Sequence, residues 1–231
     1  MRTAGVIPAR GGSRRVPGKN LAVVGGRTLV RRALETALGS GVLDPVVLSS
    51  DDPAILAEAD GLEGVVALVR PVDLATATAR SLDVVQHALA ALGEHVDAVA
   101  IMQCTSPFTA PGDVAGVVAL LEVSGAESAV TISPVGGVIH PYKLKRLVED
   151  DRLVPWLTED GMVPSHELPD LWARNGCVYV TRSEVIARGE IVGGDARGFR
   201  MPEERSVDID TPLDLAFAQF LNDRGPLGCL R

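Results

Sequence analysis

The chain has 231 residues, of which 46% are hydrophobic and 3% aromatic, and its formal net charge is −8. This acidic balance excludes a general nucleic-acid-binding protein, which would carry a broad basic face. The chain starts without a signal-peptide pattern and has no apolar run of about 18 residues, so we expect a cytoplasmic protein that does not cross a membrane.

Strand and helix patterns alternate through the first 133 residues. Strands are predicted at residues 3–8, 45–49, 65–69, 98–102 and 128–133, and helices at 29–38, 53–59, 81–92 and 111–123. Asp51 or Asp52 is expected to cap the helix that begins at Pro53, and Ser81 the next one. Near-continuous apolar strands between helices predict a Rossmann-like α/β fold, a mostly parallel sheet with helices on both faces.

A Gly-rich basic loop directly follows the first predicted strand. Residues 6–20 contain three glycines and four Arg or Lys residues. Glycines allow backbone N–H groups to approach an anion, and the basic side chains supply charge, so the loop predicts a phosphate-binding site. It is not a P-loop, because Ser13 stands in place of the first glycine and Asn20 in place of the Ser or Thr that binds Mg²⁺. A solvated connection between two elements is the alternative.

The alternating pattern stops near Pro134. Residues 135–175 are rich in Gly, Pro and charge, which predicts a small arm inserted in a single domain of residues 1–231. Trp156 and Trp172 lie in this arm and indicate either an interface or a contact that fixes the arm to the domain. Strands are then predicted at 177–181 and 206–209, and a last helix at 212–221 with Thr211 and Asp214 as its capping box.

Two carboxylates follow each other closely in the Asp-Ile-Asp segment at residues 208–210. In a strand, Asp208 and Asp210 would point to the same face, where they repel unless a cation lies between them. Carboxylates that act together with substrate phosphates suit Mg²⁺. The alternative is a helix cap at Asp210 and a surface residue at Asp208.

Other parts of the sequence give weaker indications. Gln103, at the end of a predicted strand, has the donor and acceptor needed to bind a small molecule. Arg174 can hold an anionic group through two hydrogen bonds. The three cysteines and four histidines are scattered, so no structural zinc site is expected, and we assign Cys104 no chemistry.

Four segments occur in the order typical of one enzyme family. They are the loop at 6–20, Gln-x-Thr-Ser-Pro at 103–107, Asn-Gly-x-x-Tyr at 175–179 and Asp-Ile-Asp-Thr at 208–211. From Ala4 to about Asn222 the chain resembles the CMP-N-acetylneuraminate synthetase (acylneuraminate cytidylyltransferase) family, which is related to CMP-Kdo synthetases. The first and last of these segments are the most specific.

The resemblance implies a GT-A-like nucleotidyltransferase fold, CTP and a small acidic acceptor as partners, Mg²⁺ as cofactor, and a homodimer in which the arm crosses to the other subunit. Its implied nucleotide-binding residues are Ala9, Arg10, Gly11, Gly12, Ser13, Lys19, Asn20 and Ser81. Its implied acceptor-binding residues are Gln103, Arg174 and Asn175. Asp208 and Asp210 would bind the metal, and the implied catalytic residues are Arg10, Lys19 and Asp208.

The departures from the family concern the acceptor. Ala173 and Ser165 stand where sialate enzymes often have arginine, Arg174 is shifted by one position, and Thr109 replaces a further arginine. A nonulosonate sugar acid such as a sialic acid is therefore the first expectation and a phosphonate the alternative, as in CMP-phosphonoformate formation. A catalytically idle nucleotide-binding regulator, or a transferase that uses UTP or GTP, is less favoured.

Overall fold

A seven-stranded sheet forms the centre of the fold in this computed structural model, which describes residues 1–13, 15–137, 139–157 and 164–225. The strands in chain order are β1 (Thr3–Pro8), β2 (Val23–Val24), β3 (Arg27–Thr28), β4 (Val46–Ser50), β5 (Val65–Val69), β6 (Ala98–Met102), β7 (Ser128–Pro134), β8 (Lys145–Leu147), β9 (Leu153–Pro155), β10 (Trp172–Arg182) and β11 (Ala196–Arg200). The helices are α1 (Leu29–Gly39), α2 (Pro53–Leu56), α3 (Ser81–Leu92), α4 (Pro111–Ser124), α5 (Ser183–Ala187) and α6 (Pro212–Arg224).

The strand order β11-β7-β10-β6-β1-β4-β5 confirms the mostly parallel sheet. Only β10 within this sheet runs antiparallel to its neighbours, β6 and β7. From β1 the chain continues through β4 to β5 on one side and then returns to place β6 on the other side of β1. The order therefore reverses between β1 and β6, and a crevice at the carboxyl ends of these strands is where such sheets bind ligands.

Two buried clusters cover the two faces of the sheet. Ile7 and Leu48 belong to the cluster with α1 and α4, whereas their neighbours Val6 and Val47 belong to the cluster with α3 and α5. Successive side chains of a strand point to opposite faces, so a strand buried on both sides needs apolar residues throughout. This requirement explains the near-continuous apolar strands of the sequence.

The five strands predicted before residue 134 are confirmed, with ends that differ by one residue at most. The expected cap at Pro53 is Asp52, whose carboxylate accepts a hydrogen bond from the Ala54 N–H. The prediction that Ser81 caps α3 is wrong. Ser81 is the first helical residue, and the extended residue before it is Arg80, which pairs with Asp83 in the first turn.

The strand predicted at 206–209 is also wrong, because this segment joins no sheet in the described structure. The Ile209 side chain is fully buried in the core, and its N–H donates to the Thr105 carbonyl oxygen at 2.8 Å. The apolar residues that suggested a strand thus attach an irregular segment to the domain. The capping box of Thr211 and Asp214 at the start of α6 is confirmed.

The arm between β7 and β10 contains the antiparallel pair β8–β9. Its carboxyl boundary differs from the expected one, because residues 172–175 begin β10 and pair with β7. The aromatic ring of Trp172 packs against the Arg200 guanidinium, whereas Trp156 is largely exposed. Residues 138 and 158–163 of the arm lie outside the described residues.

Several short elements were not predicted, namely the β2–β3 hairpin, α5 and β11. Helix α3 has 12 residues and α4 has 14, and no helix in the described ranges is long and apolar enough to cross a membrane.

The β2–β3 hairpin gives a test of packing beside the basic loop. Gly25 and Gly26 both have positive φ angles, but only at Gly25 would an added Cβ contact another residue, the Asn222 side chain of α6. We expect Gly26→Ala to lower the free energy of unfolding by roughly 1–2 kcal/mol through backbone strain. Gly25→Ala should cost about 1–3 kcal/mol more through overpacking, as measured by denaturant unfolding. Equal losses would contradict the close packing of hairpin and helix.

Candidate functional site

A cavity of about 420 Å³ opens at the carboxyl ends of the parallel strands, where the strand order reverses. Segments that follow β1, β5 and β6 form its walls. Its charged lining residues are Arg10, Arg15, Lys19, Arg70 and Asp210. The cationic side chains outnumber the single carboxylate, so the cavity is suited to an anion with several negative charges.

The glycines of the basic loop shape its backbone rather than line the cavity. The Gly11 N–H donates to the Asp51 carboxylate at 3.0 Å, and a Cβ at Gly11 would lie 2.8 Å from a carboxylate oxygen of Asp52. The Ser13 N–H donates to the Gly11 carbonyl oxygen and the Ala9 N–H to Ser49. These N–H groups are thus engaged in hydrogen bonds within the protein, and the positive charge that faces the cavity comes from side chains.

Three further loop residues can be located. Asn20 is nearly buried, lines the cavity and donates a hydrogen bond to the Arg10 carbonyl oxygen at 2.9 Å, so it fixes the backbone of Arg10. The Ser13 residue lines the cavity, whereas Gly12 does not. Arg14 lies outside the described residues.

Lys19 joins the basic loop to the acidic segment at 208–210. Its Nζ donates to the Ile209 carbonyl oxygen at 2.7 Å and to the Asp210 carboxylate at 3.2 Å. Arg15 pairs with the other oxygen of Asp210 at 2.7 Å. The Lys19 side chain is 13% exposed and that of Arg15 is 70% exposed, so the Lys19 contact is the less screened of the two.

The pKa values of the two carboxylates of this segment are shifted in opposite directions. Hydrogen bonding to Lys19 lowers the pKa of Asp210, and the charge of Arg15 lowers it further. Partial desolvation raises the pKa of Asp208, and the nearby negative charge of Asp210 adds to the rise, although the Thr105 hydroxyl and Lys19 oppose it. Asp210 lines the cavity and Asp208 does not.

The acidic segment alone does not make a complete metal site. The described residues contain no group of three or more His, Cys, Asp or Glu side chains that could hold a metal ion. Asp208 and Asp210 offer hard oxygen donors, which suit Mg²⁺ when substrate phosphates and water supply its other ligands.

Arg70 is a cavity residue that the sequence reasoning missed. It directly follows β5, is buried, and donates to the hydroxyl and the carbonyl oxygen of Ser49. Desolvation lowers the pKa of Arg70, and the side-chain hydrogen bonds that the described part of the chain gives it go to Ser49 and not to a carboxylate. A guanidinium without a carboxylate partner is well suited to an anionic or polar ligand. The signal available in the sequence was its position at the end of a predicted strand.

A second cavity of about 390 Å³ adjoins the first. Arg174 and Tyr179 give it polar groups, and Ile191 and Val192 give it an apolar wall. Ser81 and Gln103 line both cavities, so ligands in the two cavities would meet at these residues. Of these, Tyr179, Ile191 and Val192 were not predicted as site residues.

Asn175 and Cys104 lie near the site, but neither offers a reactive group to a ligand in the two cavities. The Asn175 amide donates to the Ser206 hydroxyl at 2.9 Å and its oxygen accepts from the Cys177 N–H at 3.2 Å, and it lines neither cavity. Cys104 lines the first cavity, but desolvation raises the pKa of its thiol to about 12, which excludes a thiolate at neutral pH.

Comparison with known proteins gives close relatives. A profile described as cytidylyltransferase matches residues 4–166. CMP-N,N'-diacetyllegionaminic acid synthase of Legionella pneumophila is 31% identical and pseudaminic acid cytidylyltransferase of Campylobacter jejuni 39% identical, each covering 96% of both chains. N-acylneuraminate cytidylyltransferase of Streptococcus agalactiae is 24% identical, and this chain spans 50% of its length. These matches confirm the resemblance drawn from the four motifs.

Solved structures confirm the fold. CMP:2-keto-3-deoxy-manno-octonic acid synthetase, solved with CTP, superposes with a TM-score of 0.72 at 18% identity and covers 97% of this chain and 99% of its own. 4-Diphosphocytidyl-2C-methyl-D-erythritol synthase of Anaerococcus prevotii gives 0.64 at 14% identity, covering 95% and 97%. The predicted α/β nucleotidyltransferase fold is thus correct.

The contributions of Lys19 and Arg15 to anion binding can be compared with inorganic pyrophosphate as a probe. We expect Lys19→Ala to weaken pyrophosphate binding by at least about tenfold, since a hydrogen bond to a charged group contributes about 1.5–3 kcal/mol. Arg15→Ala should weaken binding less, because this more exposed side chain is better screened. Isothermal titration calorimetry measures both, and an equal effect of the two substitutions would argue against the central role of Lys19.

Proposed function

Since the chain belongs to the cytidylyltransferase family, we propose that it transfers CMP from CTP to a nonulosonate sugar acid and releases pyrophosphate. The observation that supports this best is the pair of adjoining cavities, one strongly cationic and one with a single arginine. A triphosphate requires several positive charges, whereas the carboxylate of a sugar acid requires one.

In this proposal the donor occupies the cationic cavity. Arg10, Lys19 and Arg70 would neutralise the triphosphate, and Asn20 would keep the Arg10 backbone in position. Gly11, Gly12 and Ser13 would give the loop its shape. Because the transfer involves little covalent chemistry by the protein, positioning and charge neutralisation supply most of the catalysis.

The acceptor would occupy the second cavity. Arg174 would bind its carboxylate, Gln103 and Tyr179 would hydrogen-bond to its hydroxyl groups, and Ile191 and Val192 would pack against apolar substituents. An acceptor hydroxyl oxygen would attack the α-phosphorus of CTP and release its proton to water. The bond from this phosphorus to the oxygen that bridges to the β-phosphate breaks, and pyrophosphate leaves.

Mg²⁺ is the cofactor that the acidic segment fits. Desolvation raises the pKa of Asp208, and the neighbouring charge of Asp210 adds to the rise. A divalent cation bound by both carboxylates would relieve the repulsion between them. When bound, the ion supplies charge neutralisation at the transferred phosphate. For Asp210 to bind the metal ion, its contacts with Lys19 and Arg15 must change. The substrate phosphates would then attract these two cationic side chains in place of Asp210.

The alternatives considered from the sequence are less well supported. The relatives are named for legionaminic, pseudaminic and N-acylneuraminic acids, so the comparisons do not support a phosphonate acceptor. Membership of an enzyme family likewise does not favour an idle regulator.

The decisive experiment measures pyrophosphate release by the full chain. CTP, UTP, GTP and ATP are each combined with Mg²⁺ and with legionaminic, pseudaminic or N-acetylneuraminic acid, Kdo or phosphonoformate. We expect release only with CTP and a nonulosonate acid, with the CMP-linked product identified by mass spectrometry. A preference for another nucleotide, or for phosphonoformate, would overturn the proposal.

The metal assignment predicts the effect of removing either the ion or a ligand. Asp208→Ala should lower kcat at least ~10²-fold, the scale observed for single charge-stabilising groups. EDTA should abolish turnover of the unmodified protein. Asp223→Ala, which removes an exposed carboxylate at the end of α6, is the control and should leave kcat unchanged. A folded Asp208→Ala protein with near-normal kcat contradicts the metal role.

We further propose that the chain forms a homodimer through its arm. Leu147 and Leu153 are direct partners in the β8–β9 pair, and they are 66% and 63% exposed. Ile139 and Trp156 add further exposed apolar surface to the same arm. Exposed apolar side chains grouped in this way are typical of a protein–protein interface.

The arm proposal predicts a change in mass. The unmodified chain should have the mass of a dimer in light scattering coupled to size-exclusion chromatography, and the double variant Leu147→Asp/Leu153→Asp should be a monomer, because burial of two carboxylates is unfavourable. Val123→Asp changes an apolar residue on α4 that is 88% exposed and should stay dimeric. A dimeric double variant would exclude this interface.

A further inference from the structure

The acidic loop, defined here as residues 201–211, has little regular structure of its own. It begins where the Met201 N–H donates to the Ile132 carbonyl oxygen at 2.8 Å and ends at the capping box of α6. Between these points the structure describes one short 3-10 turn, Glu203–Arg205, and no strand. Because no sheet ladder fixes this loop, its side-chain contacts decide where Asp208 and Asp210 lie.

The strongest of these contacts is a two-fold ion pair between Arg205 and Asp113. The Arg205 Nε donates to one oxygen of Asp113 at 3.0 Å and its Nη2 to the other at 2.8 Å. The Asp113 side chain is 4% exposed. A guanidinium that binds both oxygens of a carboxylate fixes orientation as well as distance, which a single contact does not.

Asp113 at the same time belongs to the first turn of α4. Its carboxylate accepts a hydrogen bond from the Ala110 N–H at 2.9 Å. Helix α4 follows the turn that contains Gln103 and Thr105, and the Thr105 carbonyl oxygen accepts the Ile209 N–H. One buried carboxylate therefore connects the start of α4, shortly after Gln103 in the chain, to the acidic loop.

Asn175 provides a second attachment one residue further along the loop. Its amide donates to the Ser206 hydroxyl, and this hydroxyl donates to the Pro202 carbonyl oxygen at 2.8 Å. Arg205 and Ser206 are thus both held, directly before the carboxylates, by residues of the domain core.

We propose that Asp113 is a positioning residue for cytidylyl transfer, which acts through Arg205 to hold the acidic loop, so that Asp210 lines the nucleotide cavity and Asp208 lies two residues before it in the same loop. This inference rests on the proposed role of these two carboxylates in binding Mg²⁺. Asp113 lines neither cavity and does not contact the substrate in this proposal.

The competing interpretation is a purely structural ion pair. Loss of such a pair would lower the unfolding temperature but leave the Mg²⁺ dependence of the folded protein unchanged. A positioning role is different, because residues that orient metal ligands change metal affinity when they are replaced. The Mg²⁺ dependence of CTP binding separates the two.

The experiment measures CTP affinity by isothermal titration calorimetry without acceptor, so that no turnover occurs. Titrations are made in EDTA and over a range of Mg²⁺ concentrations for the unmodified chain, Asp113→Asn and Arg205→Lys. Arg205→Lys keeps a positive charge beside the buried carboxylate and decides the question if Asp113→Asn does not fold. Glu35→Gln, which removes an ion pair with Arg31 on α1, is the control.

We expect CTP affinity in EDTA to stay the same in every variant. The Mg²⁺ concentration that gives half of the affinity gain should rise about tenfold in Asp113→Asn, the scale typical of residues that orient metal ligands, and less in Arg205→Lys. An unchanged Mg²⁺ dependence in a folded variant overturns the positioning role. If Mg²⁺ does not strengthen CTP binding to the unmodified chain, the metal assignment itself fails.

Discussion

The contact of Lys19 with the acidic loop is the interaction on which the candidate site depends. Lys19 lies in the basic loop after β1, and its partners Ile209 and Asp210 are 190 and 191 residues away in the sequence. The contact brings the two oppositely charged segments to one edge of the sheet. The positive charge of Lys19 also balances the negative charge of Asp210 and lowers its pKa, so this carboxylate stays ionised beside the cationic cavity.

The architecture explains why this edge is available for a ligand. The reversal of strand order between β1 and β6 opens a crevice, and segments that leave neighbouring strands supply its side chains. Two cavities of different charge share Ser81 and Gln103, which suits a reaction that joins a nucleotide to an acidic sugar. The ion pair of Asp113 and Arg205 links the first turn of α4 to the loop that carries the two carboxylates.

Local patterns predicted most of the fold and part of the site. The buried parallel strands are apolar throughout, so residues such as Val6 and Ile7 identified them directly. The same reasoning failed at 206–209, where Ile209 is buried by packing onto the Thr105 turn and not by pairing in a sheet. Arg70 was missed because its position directly after a predicted strand does not by itself distinguish a buried arginine from a surface one.

The sequence alone determined the strand–helix alternation, the basic loop, the acidic pair and the family that these motifs resemble, since each depends on residues close together in the chain. Only the tertiary structure decided how the loop uses its residues. The Gly11 and Ser13 N–H groups donate hydrogen bonds within the protein, and cationic side chains face the cavity instead. Asn175 holds Ser206 and lines neither of the two cavities described above. Such contacts join residues tens to hundreds of positions apart, and chain folding, not local propensity, brings them together.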